Sequence, residues 1–141
     1  MDHNNYSDAY IRGILNTVKT IAMVGISPKD NRPSYFAFKY LLERGYRMLP
    51  VNPGQAGKDI LGQKVYAKLS EIPEPVDMVD VFRRAEACPA HAREAVEAGA
   101  GSLWLQLGLV SPESRAIAAA AGLPYVEDAC AAVVHARGLR S

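Results

Sequence analysis

Short apolar runs alternate with amphipathic stretches along the whole of this chain. Ser7 is a candidate N-cap, and Ile11, Ile14, Leu15 and Val18 follow at helical spacing, so a helix is expected first. Thr20-Ile21-Ala22-Met23-Val24-Gly25 then reads as a buried strand ended by glycine. The loop from Ile26 to Arg32 meets Pro33, which suits the first turn of a helix because its missing N–H costs nothing there. Phe38, Leu41 and Leu42 give that helix an apolar stripe, and Gly45 is a natural residue just past its end.

The alternation repeats. Arg47 to Val51 reads as a second strand, stopped by Asn52-Pro53-Gly54, and Val65-Tyr66 as a short extended piece. Val76 to Phe82 is a third strand, and Pro89 to Ala98 a helix that ends at Gly99. Ser102 to Leu107 is a fourth strand closed by Gly108; Ser111 then caps a helix through Ala121, with Pro112 in its first position. Tyr125-Val126-Glu127 is a fifth strand, and a small-residue segment with helical potential follows. Strands alternating with helices imply α/β architecture: a doubly wound parallel sheet of about five strands between two helical layers, αβα. The expected strand order is 3-2-1-4-5. Ligands of such sheets sit beyond the carboxyl ends of the strands where the order reverses, here expected between the loops after strands one and four. With no long linker or internal repeat, residues 1–141 read as one domain with its core over about 8–130.

Composition narrows the function classes. Of the 141 residues 49% are apolar, enough for one core, and the formal charge of +1 gives no bulk attraction to nucleic acid or to an anionic membrane. Any phosphate binding must then come from local geometry. Cys88 and Cys130 lie far apart without metal-ligand spacing, so neither a disulfide framework nor a metal site is expected. The start Met1-Asp2-His3-Asn4-Asn5 is polar and acidic, unlike a secretory signal, and no apolar run approaches a membrane span. A cytoplasmic location is the expectation.

The loop after the first strand concentrates the candidate chemistry. Gly25 lets backbone approach a ligand, Ser27 and Ser34 offer hydroxyls, and Arg32 offers a planar cation beside a helix start, whose N–H groups and dipole suit phosphate. The alternative is a plain strand-to-helix turn with a solvated arginine. The glycine pattern of a dinucleotide fingerprint is missing, and Val51-Asn52-Pro53 stands where an acidic residue would hold the ribose of NAD. Asn52 can bond a ribose or base without repelling phosphate. Arg83 and Arg84 end the third strand on the same rim, to hold an anion or to flank the next helix; Phe82 reads as core or as a ring against a ligand. Trp104 reads as core. Gln106 needs a partner in backbone or ligand, and Gly108 permits close approach. Neither His3, His91 nor His135 falls on this rim, so no catalytic set is assembled, and Cys130 reads as a small buried thiol.

Taken together, Ala22-Met23-Val24-Gly25-Ile26-Ser27-Pro28, Arg32-Pro33-Ser34, Pro50-Val51-Asn52-Pro53, Ile60-Leu61-Gly62, Val79-Asp80-Val81-Phe82-Arg83 and Leu103-Trp104-Leu105-Gln106-Leu107-Gly108 resemble the stand-alone CoA-binding domain proteins of bacteria. That group is similar to the CoA-binding domain of the succinyl-CoA synthetase α subunit and of acyl-CoA synthetases that form nucleoside diphosphates. The resemblance, over roughly residues 8 to 130, implies a Rossmann-like fold holding coenzyme A or an acyl-CoA along the carboxyl edge of the sheet. It implies that Gly25, Ile26, Ser27, Pro28, Arg32 and Ser34 meet the phosphates, and that Val51, Asn52 and Pro53 flank the adenosine. Phe82 and Arg83 would line the groove, with Gln106 and Gly108 along the pantetheine arm. The synthetases use a phosphorylated histidine and a nucleotide-grasping module for which this chain has no counterpart, so binding without catalysis is expected. Where a lysine commonly follows Pro-Gly in the synthetases this chain has Gln55, with Lys58 as a substitute. The competing readings are an NAD(P)-binding oxidoreductase, a CoA-ligase component needing another subunit, and an interaction domain with a vestigial pocket. A protein partner is compatible with the sequence, and oligomeric state is left open.

Overall fold

The computed structural model describes His3 and residues 6–137; the rest of the polar start and the last four residues lie outside the described residues. Helix α1 (Asp8–Thr17) begins where Ser7 accepts a hydrogen bond from the Tyr10 amide, and it leads into strand β1 (Thr20–Val24). Helix α2 (Pro33–Glu43) follows the loop after β1, with Pro33 in its first turn, and stops at Arg44 and Gly45. Gly45 takes φ +94°, a left-handed conformation that ends the helix at no steric cost. Strand β2 (Arg47–Val51), a small antiparallel hairpin of β3 (Asp59–Ile60) and β4 (Gln63–Lys64), and strand β5 (Met78–Val81) come next. Then follow α3 (Cys88–Glu97), β6 (Leu103–Leu105), α4 (Pro112–Ala120), β7 (Tyr125–Val126) and α5 (Ala131–Ala136), the last being the expected small-residue helix.

The main sheet is parallel and five-stranded, in the order β2-β1-β5-β6-β7. Counting only its five strands this is 2-1-3-4-5, which corrects the expected 3-2-1-4-5. The reason lies in the two-residue piece at Val65-Tyr66. Val51 and Tyr66 form a parallel bridge, with the Asn52 N–H donating to the Tyr66 carbonyl at 2.9 Å and the Tyr66 N–H to the Pro50 carbonyl at 2.9 Å. That piece takes the outer side of β2, so β5 pairs with the open side of β1. The order therefore reverses between β1 and β5, so the crevice at Gly25 is walled by β5 where β6 was expected.

Side-chain alternation sorts the sheet into two cores. Ile21, Met23, Met48, Met78, Trp104 and Val126 face α1, α2 and α5, whereas Ala22, Val24, Leu49, Val79, Val81 and Leu105 face α3 and α4. Both faces of every long strand are buried, hence the nearly unbroken apolar runs in the sequence. Trp104 is fully buried and donates its indole N–H to the Ala129 carbonyl at 2.7 Å. At the sheet's edge, the Tyr10 hydroxyl donates to the Tyr125 carbonyl and accepts from the Tyr125 N–H, tying α1 to β7. Glu127 is buried beside β7 and pairs with Arg115 of α4 at 2.6 Å.

Candidate functional site: a cationic cleft at the strand ends

The carboxyl ends of β1, β5 and β6 frame a cleft of about 780 Å³. Its floor begins at Gly25, where φ is +87° and a Cβ would lie 2.3 Å from the Phe82 carbonyl oxygen. Two stitches hold the strand ends there: the Gly25 N–H donates to the Val51 carbonyl, and the Phe82 N–H to the Val24 carbonyl, each at 2.8 Å. Only glycine fits where three strand ends converge on one turn.

The next residues fold back on themselves. Ser34, nearly buried in the first turn of α2, accepts the Ser27 N–H at 3.0 Å, and Ser27 in turn accepts the Lys29 N–H at 3.1 Å. Asn52 donates to the Ile26 carbonyl at 2.8 Å and accepts the Gly54 N–H at 2.9 Å, joining the loops after β1 and β2. The cap position of α2 is Arg32, whose side chain makes no capping bond, so the amide end of an eleven-residue helix opens toward the cleft. Losing the Asn52 bridge should loosen this loop: Asn52→Ala is expected to lower stability by about 1–3 kcal/mol, which denaturant unfolding would measure; an unchanged midpoint would make the bridge incidental.

Lys29, Arg32, Arg83 and Arg84 line the cleft, and among the described residues no carboxylate does. Four cations around one helix start concentrate positive potential on a chain whose formal charge is only +1. Gly25, Ser27, Arg32, Ser34, Phe82, Arg83 and Gln106 come together here. Val51 and Pro53 line a smaller adjoining hollow of about 130 Å³ that shares Gly25 and Arg83 with the cleft. Four other expected residues line neither space. Ile26 is fully buried in the core, Pro28 is exposed, and the Asn52 side chain is engaged in the loop. The Gly108 N–H donates to the Asp128 carboxylate at 2.7 Å.

Lys29, two residues past Ser27 in the same loop, joins the site although no motif marks it. Arg84 lines the cleft while pairing with Glu86 at 3.4 Å on the surface. Lys68, not Gln55 or Lys58, lines the smaller hollow. His91 also reaches that hollow, against the expectation that no histidine falls on the rim, because α3 starts directly beyond β5; its Nδ1 lies 2.7 Å from Glu94. Among the described residues no group of three or more His, Cys, Asp or Glu side chains could hold a metal ion. No helix among them is long and apolar enough to cross a membrane.

Behind the rim, Asp80 occupies the middle of the sheet. It is fully buried, pairs in register with Met23 and Trp104, and neither carboxylate oxygen has a hydrogen-bond partner among the described residues. Burial alone pushes its pKa up to about 8.

A parallel sheet wound on both faces, with a cationic cleft at its switch point, defines a Rossmann-like α/β protein. The sequence model of the CoA binding domain family matches residues 19–136, and the chain belongs to that family. It is 39% identical over 132 residues to the uncharacterized protein YneT of Bacillus subtilis, covering 94% of this chain and 96% of that one. It is also 34% identical over 85 residues to the α subunit of acetate–CoA ligase (ADP-forming) I of Pyrococcus furiosus, covering 57% of this chain but only 18% of the subunit. Among solved structures, a Thermus thermophilus protein described as cell-free ID.343 superposes with a TM-score of 0.89 at 39% identity, over 94% of this chain and 98% of that one. The dinucleotide-forming acetyl-coenzyme A synthetase 1 of Ca. Korarchaeum cryptofilum shares the fold, with a TM-score of 0.69 at 21% identity over 82% of this chain and 27% of that one.

Proposed function

We propose that this chain binds coenzyme A or an acyl-CoA at the carboxyl edge of its sheet, as a binding module and not as a catalyst. The observation that carries the reading is the cleft itself: among the described residues, four cations and no carboxylate surround the start of α2, which has no side-chain cap. A diphosphate placed there would accept from the amide end of the helix and from the Arg32 guanidinium. The smaller hollow, with Val51, Pro53 and Lys68, would take the adenosine end, and Lys68 would face its phosphorylated ribose. The pantetheine arm would run toward Gln106. Membership of the CoA binding domain family supports the same reading.

Calorimetric titration with CoA, dephospho-CoA and NAD tests it. CoA should bind tightest, and affinity should fall as salt rises, because the cleft is open and its cations are screened. NAD binding as strong as CoA binding would overturn the proposal. Arg32→Ala should weaken CoA about tenfold or more, from the loss of a charge-assisted bond of about 1.5–3 kcal/mol; an unchanged affinity would make Arg32 a solvated bystander.

A further inference from the structure

We propose that the apolar groove between α2 and α5 takes the acyl chain of a medium-chain acyl-CoA, so that the preferred ligand is the thioester and not free CoA. This rests on the CoA reading above and names its ligand class.

The groove holds about 340 Å³ and shares Pro33 with the cationic cleft; its Cys130 side follows Ala129, whose N–H donates to the Leu105 carbonyl at 3.4 Å, next to Gln106 where the pantetheine arm would end. Phe36 and Tyr40 form its α2 wall; Cys130, Ala132 and Val133 form the wall at α5. Those walls are almost wholly carbon. The Tyr40 hydroxyl is hydrogen-bonded to His135 Nδ1 at 2.9 Å, and burial pushes the Cys130 thiol pKa up, which leaves it a wall atom and not a nucleophile. Such a lining offers no partners for the two amides of a pantetheine arm, whereas an alkyl chain needs none. Phe36 is 60% exposed and Val133 46% exposed, two large apolar side chains from different helices bordering one groove beside a charged cleft. From Pro33 to Tyr40 the groove follows α2 for about 10 Å at 1.5 Å per residue, the length of a medium-chain acyl group.

The test is calorimetry on the full chain with CoA, acetyl-CoA and octanoyl-CoA, repeated on Val133→Glu and Phe36→Glu. Octanoyl-CoA should bind about tenfold or more tightly than CoA with a more negative heat-capacity change, and acetyl-CoA like CoA. Both exposed-site variants should erase the octanoyl advantage while leaving CoA affinity unchanged. CoA binding without an octanoyl preference, or a preference that survives both substitutions, overturns this inference alone. If neither ligand binds, the proposed function falls and takes the inference with it. A concentration-dependent dimer that Val133→Glu dissociates would assign the groove to a second copy and overturn the acyl reading.

Discussion

Replacing Gly25 by alanine should abolish CoA binding, weakening it by more than a hundredfold, and should destabilise the fold by about 3 kcal/mol or more. Two independent penalties meet at this position. The backbone is held at φ +87°, where an L side chain costs about 1–2 kcal/mol. The new Cβ would also lie 2.3 Å from the Phe82 carbonyl oxygen and 2.7 Å from Arg83 Cδ. The arginine tail can move, but the carbonyl belongs to the segment whose N–H is already bonded to Val24. Relief therefore requires parting the ends of β1 and β5, the two strands that frame the cleft. Gly108→Ala is the control: it too has a positive φ, +91°, but nothing lies within 4 Å of its Cβ position. It should cost about 1 kcal/mol and leave CoA affinity within twofold. Thermal melts and CoA titrations of both variants decide the matter; equal behaviour of the two would sink the claim that crowding at the strand ends makes Gly25 indispensable.

The second large effect is a pH dependence written into the core by Asp80. Its folded-state pKa is raised from 3.8 to about 8, so between those values the folded protein keeps a proton that the unfolded chain has released. Stability must then fall as pH rises through that window, by at most about 1.4 kcal/mol per pH unit, and level off above pH 8. The sign is opposite to that of a salt-bridged carboxylate such as Glu74, which Arg47 holds below its usual range. Asp80→Asn has nearly the same shape and cannot ionise. Near pH 5 it should match the parent protein, since each then buries a neutral group without partners. At pH 8 it should be more stable by about 3 kcal/mol, a rise in Tm of roughly 10 °C. Urea unfolding from pH 5 to pH 9 reads the difference directly; parallel curves for the two proteins would mean that the ionised carboxylate finds a partner.

Most of the cleft is legible in the chain because its parts are close neighbours in sequence. Gly25, Ser27, Arg32 and Ser34 belong to one strand–loop–helix unit, whose geometry is dictated by a glycine, a proline at a helix start and short hydrogen bonds. Lys29 belongs to the same unit, at a loop position that no spacing marks. Arg84 and Lys68 reach the strand ends only because β5 lies beside β1 and because Tyr66 bonds to β2. Asn52 carried a ligand-facing expectation, yet its amide is consumed in joining two loops. A contact across 26 residues has no periodic signature.

The alternation of apolar and amphipathic segments is enough to give the strands of the main sheet, its covering helices, the Ser7 and Ser111 caps and the double-faced burial of the sheet, because periodicity and capping are local properties of neighbouring residues; the β3–β4 hairpin has no such pattern. The alternation did not determine which strand lies beside which. That was settled by a two-residue bridge at Tyr66, too short to carry a pattern, whose two hydrogen bonds close one side of β2 and leave β1 to β5. The isolation of Asp80 is likewise a tertiary fact: a carboxylate in the run Met78-Val79-Asp80-Val81 is visible in the chain, but the absence of any partner depends on everything that packs around it.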